Sequence, residues 1–290
     1  MKADSSLGAI DQTQPQEPIT GGHAFTTIRE PTDTVSDMKP VAIVTGAGTG
    51  IGQATARLFH DRNYAIVAAD VSPEALSWAA DVPDCRTVVA DASDEEANTA
   101  VVDAAVKAFG RLDVAVLNAG IARRVDWTDD DAVAQYDRIM AVNARGVVLG
   151  IRCAAPVIAA HGGGSIVVVG STSGIRADPD RWAYNASKAA AINLARAAAL
   201  DWAQRGVRVN VLAPGPTLTP ILQGGKPTSD HLDELSRSIP LHRLGRPEEQ
   251  AEAIYFLASP AASYITGAVL MCDGGVTANV GLFPPHAAGA

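Results

Sequence analysis

The stretch that decides the fold is residues 41–59, VAIVTGAGTGIGQATARLF. It opens with four apolar residues, continues through a turn with four glycines between positions 46 and 52, and then places Ala54, Leu58 and Phe59 at helical spacing. A short apolar run is typical of a buried strand, and a period of three to four residues is typical of a helix. These residues therefore predict a strand, a tight glycine turn and a helix in direct succession.

The same alternation continues outward from this stretch to about residue 276. Further strands are predicted over 64–70, 86–91, 113–120, 165–171, 207–215 and 267–275. Helices are predicted over 72–80, 94–110, 129–164, 181–206 and 247–259. Strands that are apolar almost throughout and alternate with helices predict a parallel sheet covered on both faces. The predicted fold class is therefore α/β, a doubly wound parallel sheet in a single domain.

The two ends of the chain fall outside this pattern. Residues 1–38 are rich in Thr, Pro, Gln and acidic residues and have no apolar period, so we expect a flexible N-terminal extension. Phe25 and Ile28 leave open a second interpretation, a packing arm for a neighbouring subunit. The predicted catalytic domain covers 39–276, and residues 277–290 form a C-terminal tail.

Composition excludes several classes of protein. The 290 residues include 23 basic and 32 acidic ones, a formal charge of −9, and this balance disfavours nucleic-acid binding, which needs Lys and Arg. No run approaches the roughly 18 uninterrupted apolar residues of a membrane helix, and the first residues lack the apolar segment of a secretory signal. The cysteines are far apart and the histidines lack metal-ligand spacing, so we expect a cytoplasmic protein with free thiols and no metal site.

The glycine turn predicts a dinucleotide site. Small residues let a pyrophosphate approach the backbone, and the following helix offers free N–H groups at its N-terminus. Asp70 ends the second predicted strand, where a carboxylate accepts hydrogen bonds from the adenosine ribose and repels a 2′-phosphate. Thr49, inside the glycine turn, and Val71, just after Asp70, are not basic. The sequence therefore favours NAD over NADP.

A tyrosine and a lysine suggest acid–base chemistry. Tyr184 and Lys188 are four residues apart on a predicted helix and so share a face. A nearby ammonium lowers the pKa of a phenol, which lets it act as a base near neutral pH. Ser171 ends the fifth predicted strand, at the sheet edge where ligands bind, and its hydroxyl is suited to hold a substrate oxygen. Ser173 is the alternative for that role.

With these residues in place, the sequence resembles the short-chain dehydrogenase/reductase family, whose fold is Rossmann-like and whose members have one domain in their ordinary form. The resemblance covers roughly residues 40–276. It is carried by TGAGTGIG (45–52), Asp70, Asp91, NAG (118–120), Asn143, Ser171, YNASK (184–188), Pro214-Gly215, Thr219 and DGG (273–275).

The resemblance implies a role for each matching residue. Tyr184 would be the general acid/base, Lys188 would lower its pKa and bind the nicotinamide ribose, and Ser171 would orient the substrate oxygen. Asn143 would hold a water that links Lys188 to solvent. The implied cofactor contacts are Gly46, Gly48, Thr49, Gly50, Ile51, Gly52, Asp70, Val71, Asp91, Ala92, Asn118, Ala119, Gly120, Tyr184, Lys188, Pro214, Gly215, Thr217 and Thr219.

Several of these residues have a purely structural alternative. The alternative for Asn143 is a satisfied core amide, and the alternative for Asp91 is a cap for the helix that starts near Ser93. Asn118 has an alternative role as a brace, and Pro214-Gly215 as a plain turn. The resemblance also implies a homotetramer or a dimer built on the two long helices and the last strand.

The substrate side is less specific. Residues 217–245 mix apolar anchors with glycines and prolines, and we expect them to form a lid. Arg123, Arg124, Arg176 and Trp182 are candidates to line the cleft. The expected reaction is hydride transfer between the nicotinamide and a secondary alcohol or ketone. The alternatives are an NAD(H)-sensing module without turnover and a dehalogenase or lyase on the same fold; an enoyl reductase is disfavoured because those relatives have a longer Tyr–Lys spacing.

Overall fold

The apolar runs form seven parallel strands of one sheet in the computed structural model, which describes residues 38–223 and 228–278. The strands are β1 (Val41–Thr45), β2 (Ala65–Asp70), β3 (Cys85–Val89), β4 (Val114–Leu117), β5 (Gly164–Val169), β6 (Val207–Pro214) and β7 (Val269–Cys272). Their order in the sheet is β3-β2-β1-β4-β5-β6-β7. The predicted doubly wound parallel sheet is confirmed.

Helices cover both faces of this sheet. They are α1 (Gly50–Asp61), α2 (Glu95–Phe109), α3 (Ala132–Met140), α4 (Gly146–Ala160), α5 (Trp182–Trp202), α6 (Pro220–Gln223), α7 (Ser229–Ser238) and α8 (Pro247–Ala258). Alternate strand residues point to opposite faces. Ile43 packs in the core beneath α2, α4 and α5, and Val44 packs in the core beneath α1 and α8.

Residues 72–80 do not form the predicted helix. The side chain of Ser72 accepts a hydrogen bond from Ala75 N (3.1 Å), as a helix cap would, but only turns and a 3₁₀ turn at Ser77–Ala79 follow. So short a segment gains little from helical cooperativity. It buries Leu76 and Ala79 against the sheet instead.

The single helix predicted over 129–164 is also wrong in detail. It divides into α3, a π-helical segment at Ala141–Arg145, and α4. A π segment inserts an extra residue into a helical turn and often marks a functional site. Here the insertion carries Asn143.

The helical stretch Ala132–Ala160 is long and apolar enough to cross a membrane by length and composition alone. However, 56% of its most apolar window is buried inside the protein. Ile151 and Ile158 of this stretch pack in the core beneath the sheet, so it is the core helix of a globular domain. The predicted N-terminal extension, apart from Met38, and the tail from residue 279 lie outside the described residues.

Candidate active site

The candidate site lies where the strand order reverses, between the carboxyl ends of β1 and β4. Thr45 and Asn118 join these two ends. Thr45 Oγ1 accepts hydrogen bonds from Asn118 N and Ala119 N, both at 3.0 Å, and Asn118 Nδ2 donates to Thr45 O (2.9 Å) and Gly46 O (3.2 Å). Ligands of doubly wound sheets bind in this crevice. These hydrogen bonds show that Asn118 braces the ends of β1 and β4, which is its structural alternative.

The glycine turn fits tightly against this brace. Gly46 has φ +64°, and a Cβ atom there would lie 2.8 Å from Asn118 Nδ2. A Cβ atom on Gly52 would lie 2.0 Å from Gly46 O, so α1 packs too closely for a side chain. Because α1 begins at Gly50, its first N–H groups have no partner within the helix and form a positively polarised end.

Two adjoining cavities run along this sheet edge. The smaller, about 270 Å³, is lined by Asp70, Val71, Asp91 and Ala92, and the larger, about 610 Å³, reaches from the glycine turn to Ser171 and Tyr184. Both cavities share Gly46, Asp70, Ala119 and Gly120. The larger one is also lined by the predicted residues Thr49, Gly50, Ile51, Asn118, Lys188, Pro214, Gly215, Thr217 and Thr219. This elongated space fits a dinucleotide, with room for a different group at each end.

Asp70 lies at the junction of the two cavities. Its Oδ2 atom accepts a hydrogen bond from Gly48 N (2.9 Å) and its Oδ1 atom accepts one from Ser72 N (3.1 Å). A Cβ atom on Gly48 would lie 2.8 Å from Asp70 Oδ2, so the turn leaves no room for a side chain beside the carboxylate. One cation that the sequence did not single out, Arg138 on α3, lines the smaller cavity.

Asp91 lines the smaller cavity without capping the next helix. Its Oδ1 atom accepts hydrogen bonds from Ser93 N and Ser93 Oγ, both at 2.8 Å. The N-cap of α2 is Asp94, whose side chain accepts from Ala97 N (2.7 Å). The alternative interpretation of Asp91 as the helix cap is wrong.

Tyr184 and Lys188 share a buried face of α5, as their spacing predicts. Burial raises the pKa of the Tyr184 phenol, while the nearby Ser171 hydroxyl and the positive charge of Arg181 act in the opposite direction. Lys188 Nζ donates to Val169 O (2.9 Å) and lies 5.8 Å from the centre of the Tyr184 ring. Burial lowers the pKa of Lys188 to about 8. The expected lowering of the Tyr184 pKa by Lys188 is therefore absent from this structure, in which burial dominates.

Ser171 lies two residues beyond the end of β5, rather than within it as predicted. Its Oγ atom accepts a hydrogen bond from Ser173 N (3.1 Å) and so starts a 3₁₀ turn at Thr172–Gly174. Ser173 also lines the cavity, but its Oγ atom donates to Asp178 Oδ2 (2.5 Å). The Ser171 hydroxyl also acts on Tyr184, whose pKa it lowers.

The side chain of Asn143 is fully engaged in the core. Its Oδ1 atom accepts from Ile121 N (2.8 Å), and its Nδ2 atom donates to Ile121 O (2.9 Å) and Ser187 Oγ (3.0 Å). Asn143 is nevertheless close to Lys188, because a Cβ atom on Gly120 would lie 3.3 Å from both Asn143 Oδ1 and Lys188 Nζ. The side chain of Asn143 is therefore a satisfied core amide, in agreement with its structural alternative.

The segment after β6 closes the larger cavity. Thr219 packs over the glycine turn, since a Cβ atom on Gly50 would lie 3.3 Å from Thr219 Cγ2. Thr217 turns its hydroxyl inward, where it donates to Gly215 O (2.9 Å) and accepts from Gln250 Nε2 (3.3 Å).

Two charged residues of the larger cavity, Asp178 and Arg181, are not among the predicted site residues. Both lie between Ser171 and Tyr184 in the chain, and that position is the signal that marks them. Of the basic candidates, Arg124 lines the cavity. Trp182 has a structural role instead, because its Nε1 atom donates to Val125 O (2.9 Å) and its ring stacks on Trp127.

The glycine turn lies where the order of the strands reverses, and its cavity continues to the buried residues Ser171, Tyr184 and Lys188. This combination defines an oxidoreductase that uses a nicotinamide dinucleotide. The profile of a family described as "Enoyl-(Acyl carrier protein) reductase" matches residues 46–277. The chain belongs to the short-chain dehydrogenase/reductase family.

Relatives agree with this assignment. The chain is 43% identical over 242 residues to the cis-4-hydroxycyclohexanecarboxylate dehydrogenase of Sinomonas cyclohexanicum, covering 82% of this chain and 96% of the relative. It is 37% identical over 249 residues to the 2-(R)-hydroxypropyl-CoM dehydrogenase of Xanthobacter autotrophicus, covering 83% and 100%.

Among solved structures, levodione reductase is 32% identical with a TM-score of 0.79, covering 83% of this chain and 98% of the other. A 3-ketoacyl-(acyl-carrier-protein) reductase of Brucella melitensis, complexed with NADH, is 34% identical with a TM-score of 0.77, covering 83% and 99%. The chain is therefore an alcohol dehydrogenase or ketone reductase that uses a nicotinamide cofactor, as predicted. No observation favours the non-catalytic sensor.

Proposed function

We propose that this protein is an NAD-dependent dehydrogenase of a secondary alcohol, with Tyr184 as its general acid/base. The observation that carries the proposal is one continuous cavity. It joins the glycine turn and Asp70 to Ser171 and Tyr184, with Lys188 beside them. Such a cavity brings a dinucleotide and an alcohol together at the tyrosine.

In this proposal the bound nicotinamide supplies the hydride acceptor. Tyr184 takes the proton from the substrate hydroxyl, and Ser171 holds the same oxygen in place. Lys188 has a pKa of about 8 in its buried site, so its ammonium exchanges protons close to neutral pH and supports the return of Tyr184 to its basic form. Asn143, close to Lys188, anchors the segment through which that proton passes to solvent.

The residues around the glycine turn suit the other parts of the cofactor. Gly46–Gly52 and the N-terminus of α1 would hold the pyrophosphate, and Asp70 would hold the adenosine ribose. Asp91 with Ala92 would contact the adenine. The nicotinamide would be bracketed by Pro214, Gly215, Thr217 and Thr219. Thr217 would contact it through its backbone, because its hydroxyl is bonded to Gly215 O and Gln250 Nε2.

The NAD preference rests on Asp70. Thr49 and Val71 beside it carry no positive charge, and the Asp70 carboxylate is fixed by two backbone N–H groups. A 2′-phosphate at this position would meet a fixed negative charge.

We propose that the substrate is a cyclic secondary alcohol that carries a carboxylate. The relative from Sinomonas cyclohexanicum is named for such a compound. The larger cavity of this chain offers Ile221, Leu222 and Leu235 for an apolar ring, and Arg124 and Arg181 for an anionic group. The guanidinium is well suited to a carboxylate because it forms two parallel hydrogen bonds.

The test is oxidation of cis-4-hydroxycyclohexanecarboxylate and cyclohexanol with NAD, measured by NADH absorbance. Wild-type protein is expected to oxidise the carboxylate more efficiently than cyclohexanol. Tyr184→Phe is expected to lower kcat at least about a thousandfold, since general acid–base catalysis contributes up to about four orders of magnitude. NADH binding, followed by fluorescence, serves as the folding control. Turnover by Tyr184→Phe at the wild-type rate would overturn the proposed role.

We also propose that the protein acts in the cytoplasm as a homodimer or homotetramer. Its charge, its free cysteines and the exposed apolar residues of its long helices support this assignment.

A further inference from the structure

A buried glutamine ties the segment after β6 to two other elements. Gln250, in α8, is 2% exposed. Its Nε2 atom donates to Thr217 Oγ1 (3.3 Å) and to Cys272 O (3.0 Å), the carbonyl at the end of β7. Gln250 is not among the residues that line the two cavities, so an effect of this side chain on the cofactor would pass through Thr217.

The chemistry of these groups fixes the direction of each hydrogen bond. The carbonyl oxygens of Cys272 and Gly215 only accept, so the amide nitrogen of Gln250 faces Cys272 and the Thr217 hydroxyl donates its proton to Gly215 O (2.9 Å). A lone pair of Thr217 Oγ1 then accepts the second proton of Gln250 Nε2. In this orientation Gln250 Oε1 is buried and has no hydrogen-bond partner in the part of the chain that the structure describes.

The stability of the core does not account for this amide. A buried acceptor without a partner costs about 1–3 kcal/mol, which is similar to what two neutral hydrogen bonds contribute. An apolar side chain of the same length would fill the space without that cost. The effect of Gln250 therefore lies in the group that its hydrogen bonds orient.

The backbone around Thr217 is held on one side by Gly245. Gly245 N donates to Pro216 O (3.0 Å), and Leu218 N donates to Gly245 O (2.9 Å). Because the C=O and N–H groups of one peptide point in opposite directions, the N–H and C=O groups of Thr217 face away from Gly245. Two bonds along one edge leave the segment free to rotate about that edge. The bond from Gln250 to the Thr217 side chain acts from a second direction and fixes the rotation.

We infer that Gln250 is a positioning residue that, through the Thr217 hydroxyl, sets the direction in which the peptide groups of Thr217 face the nicotinamide. The inference rests on the proposed function, in which the backbone of Thr217 contacts that end of the cofactor. The glycine turn and Asp70 would hold the pyrophosphate and the adenosine. Gln250 should therefore affect the binding of one end of the cofactor and not of the other.

The experiment compares the Kd of NADH with the Kd of ADP-ribose, which lacks the nicotinamide. NADH is titrated by fluorescence, and ADP-ribose by displacement of bound NADH. Gln250→Met should raise the ratio of the NADH Kd to the ADP-ribose Kd about three- to tenfold, the range that one hydrogen bond provides. The ADP-ribose Kd should stay within about twofold of wild type. The free energy of unfolding in urea should change by less than about 1 kcal/mol, because the unpaired acceptor is lost together with the two bonds.

Two further variants serve as controls. Gln53→Met is matched to Gln250→Met, because Gln53 Nε2 donates to Gly48 O (3.0 Å) in the glycine turn. Both ligands carry the pyrophosphate, so this change should weaken both and leave the ratio unchanged. In the Thr217→Val background, Gln250→Met should alter the ratio no further, because the bond that it removes is already absent.

The outcomes separate this inference from the proposed function. A purely structural role for Gln250 would lower the free energy of unfolding and weaken both ligands alike, which would overturn the inference. A further rise of the ratio in the Thr217→Val background would also overturn it, since Gln250 would then act by another route. Wild-type protein that binds NADH no more tightly than ADP-ribose would contradict the proposed contact between Thr217 and the nicotinamide and, with it, this inference.

Discussion

At the scale of single residues, Asp70 combines a structural and a recognition role in one carboxylate. It binds the backbone of the glycine turn through Gly48 N and the turn after β2 through Ser72 N. The same group faces both cavities. The effect of replacing Asp70 must therefore be compared with that of a variant that keeps the hydrogen bonds to Gly48 N and Ser72 N.

We expect Asp70→Ala to lower kcat/KM for NAD about ten- to a hundredfold, because it removes charged hydrogen bonds to the ribose. The loss with NADP should be much smaller, since the repulsion of the 2′-phosphate disappears with the carboxylate. Steady-state kinetics with both cofactors measures this change. Asp70→Asn retains acceptors for the two N–H groups and reports on charge alone. An unchanged NAD/NADP ratio in both variants would contradict the assignment, and Arg138 would then be the residue to examine.

The buried ammonium of Lys188 makes stability depend on pH. In the unfolded chain a lysine stays protonated up to its ordinary pKa of 10.5, whereas in the folded protein the pKa of Lys188 is lowered to about 8. Between these values the unfolded state binds more protons, so the free energy of unfolding rises with pH. Wild type should gain about 2 kcal/mol over Lys188→Met between about pH 7.5 and 9.5, at 1.36 kcal/mol per pKa unit.

Urea unfolding at both pH values measures this difference. Lys107→Met, which changes an exposed lysine of α2, is the control and should show no such trend. A constant difference between wild type and Lys188→Met would mean that the lysine is not desolvated in the folded protein.

At the scale of elements, Arg208 on β6 binds the carbonyl groups at the C-terminal end of α8. Its guanidinium donates to the carbonyl oxygens of Leu257 (2.8 Å), Ala258 (3.0 Å) and Ser259 (3.1 Å), at the helix end, and to Ile265 O (3.3 Å). The last carbonyl groups of a helix have no partner within the helix. A cation near them is also attracted by the negative end of the helix dipole.

We expect Arg208→Ala to lower the free energy of unfolding by about 2–4 kcal/mol, because several carbonyls near the end of α8 lose their donor at once. Urea unfolding with NADH absent reports the loss. Arg205→Ala removes an exposed arginine that stacks on Trp202 and should change stability by less than about 0.5 kcal/mol. Equal effects of the two variants would show that the buried hydrogen bonds are not the source.

At the scale of the whole molecule, the long helices leave apolar side chains on the surface. Leu200 of α5 is 81% exposed, and Val148 of the neighbouring α4 is 42% exposed. We expect a dimer or tetramer that covers this face, and light scattering after gel filtration should give two or four times the chain mass. Leu200→Glu should lower that mass by burying a charge in the contact. Val89→Glu, at the β3 edge of the sheet, is the control and should leave it unchanged; a wild-type monomer would contradict the expectation.

The sequence by itself determined the parallel sheet and the position of the glycine turn, and it predicted Ser171, Tyr184 and Lys188 as site residues, which line one cavity in the structure. These features depend on local spacing: an apolar run makes a strand, and residues four apart share a helix face. Only the tertiary structure divided 129–164 at the π segment around Asn143 and kept 72–80 from becoming a helix. Packing on the sheet decided both, because propensity is weak over so few residues.

Tertiary structure likewise brought Asp178 and Arg181 to the substrate cavity and set the pKa of Tyr184. The spacing of Tyr184 and Lys188 indicated a lowered pKa, but burial has the larger effect and raises it. Desolvation depends on what surrounds a group in three dimensions. A sequence fixes which residues are neighbours along the chain, and only the folded protein fixes the medium in which their charges and protons lie.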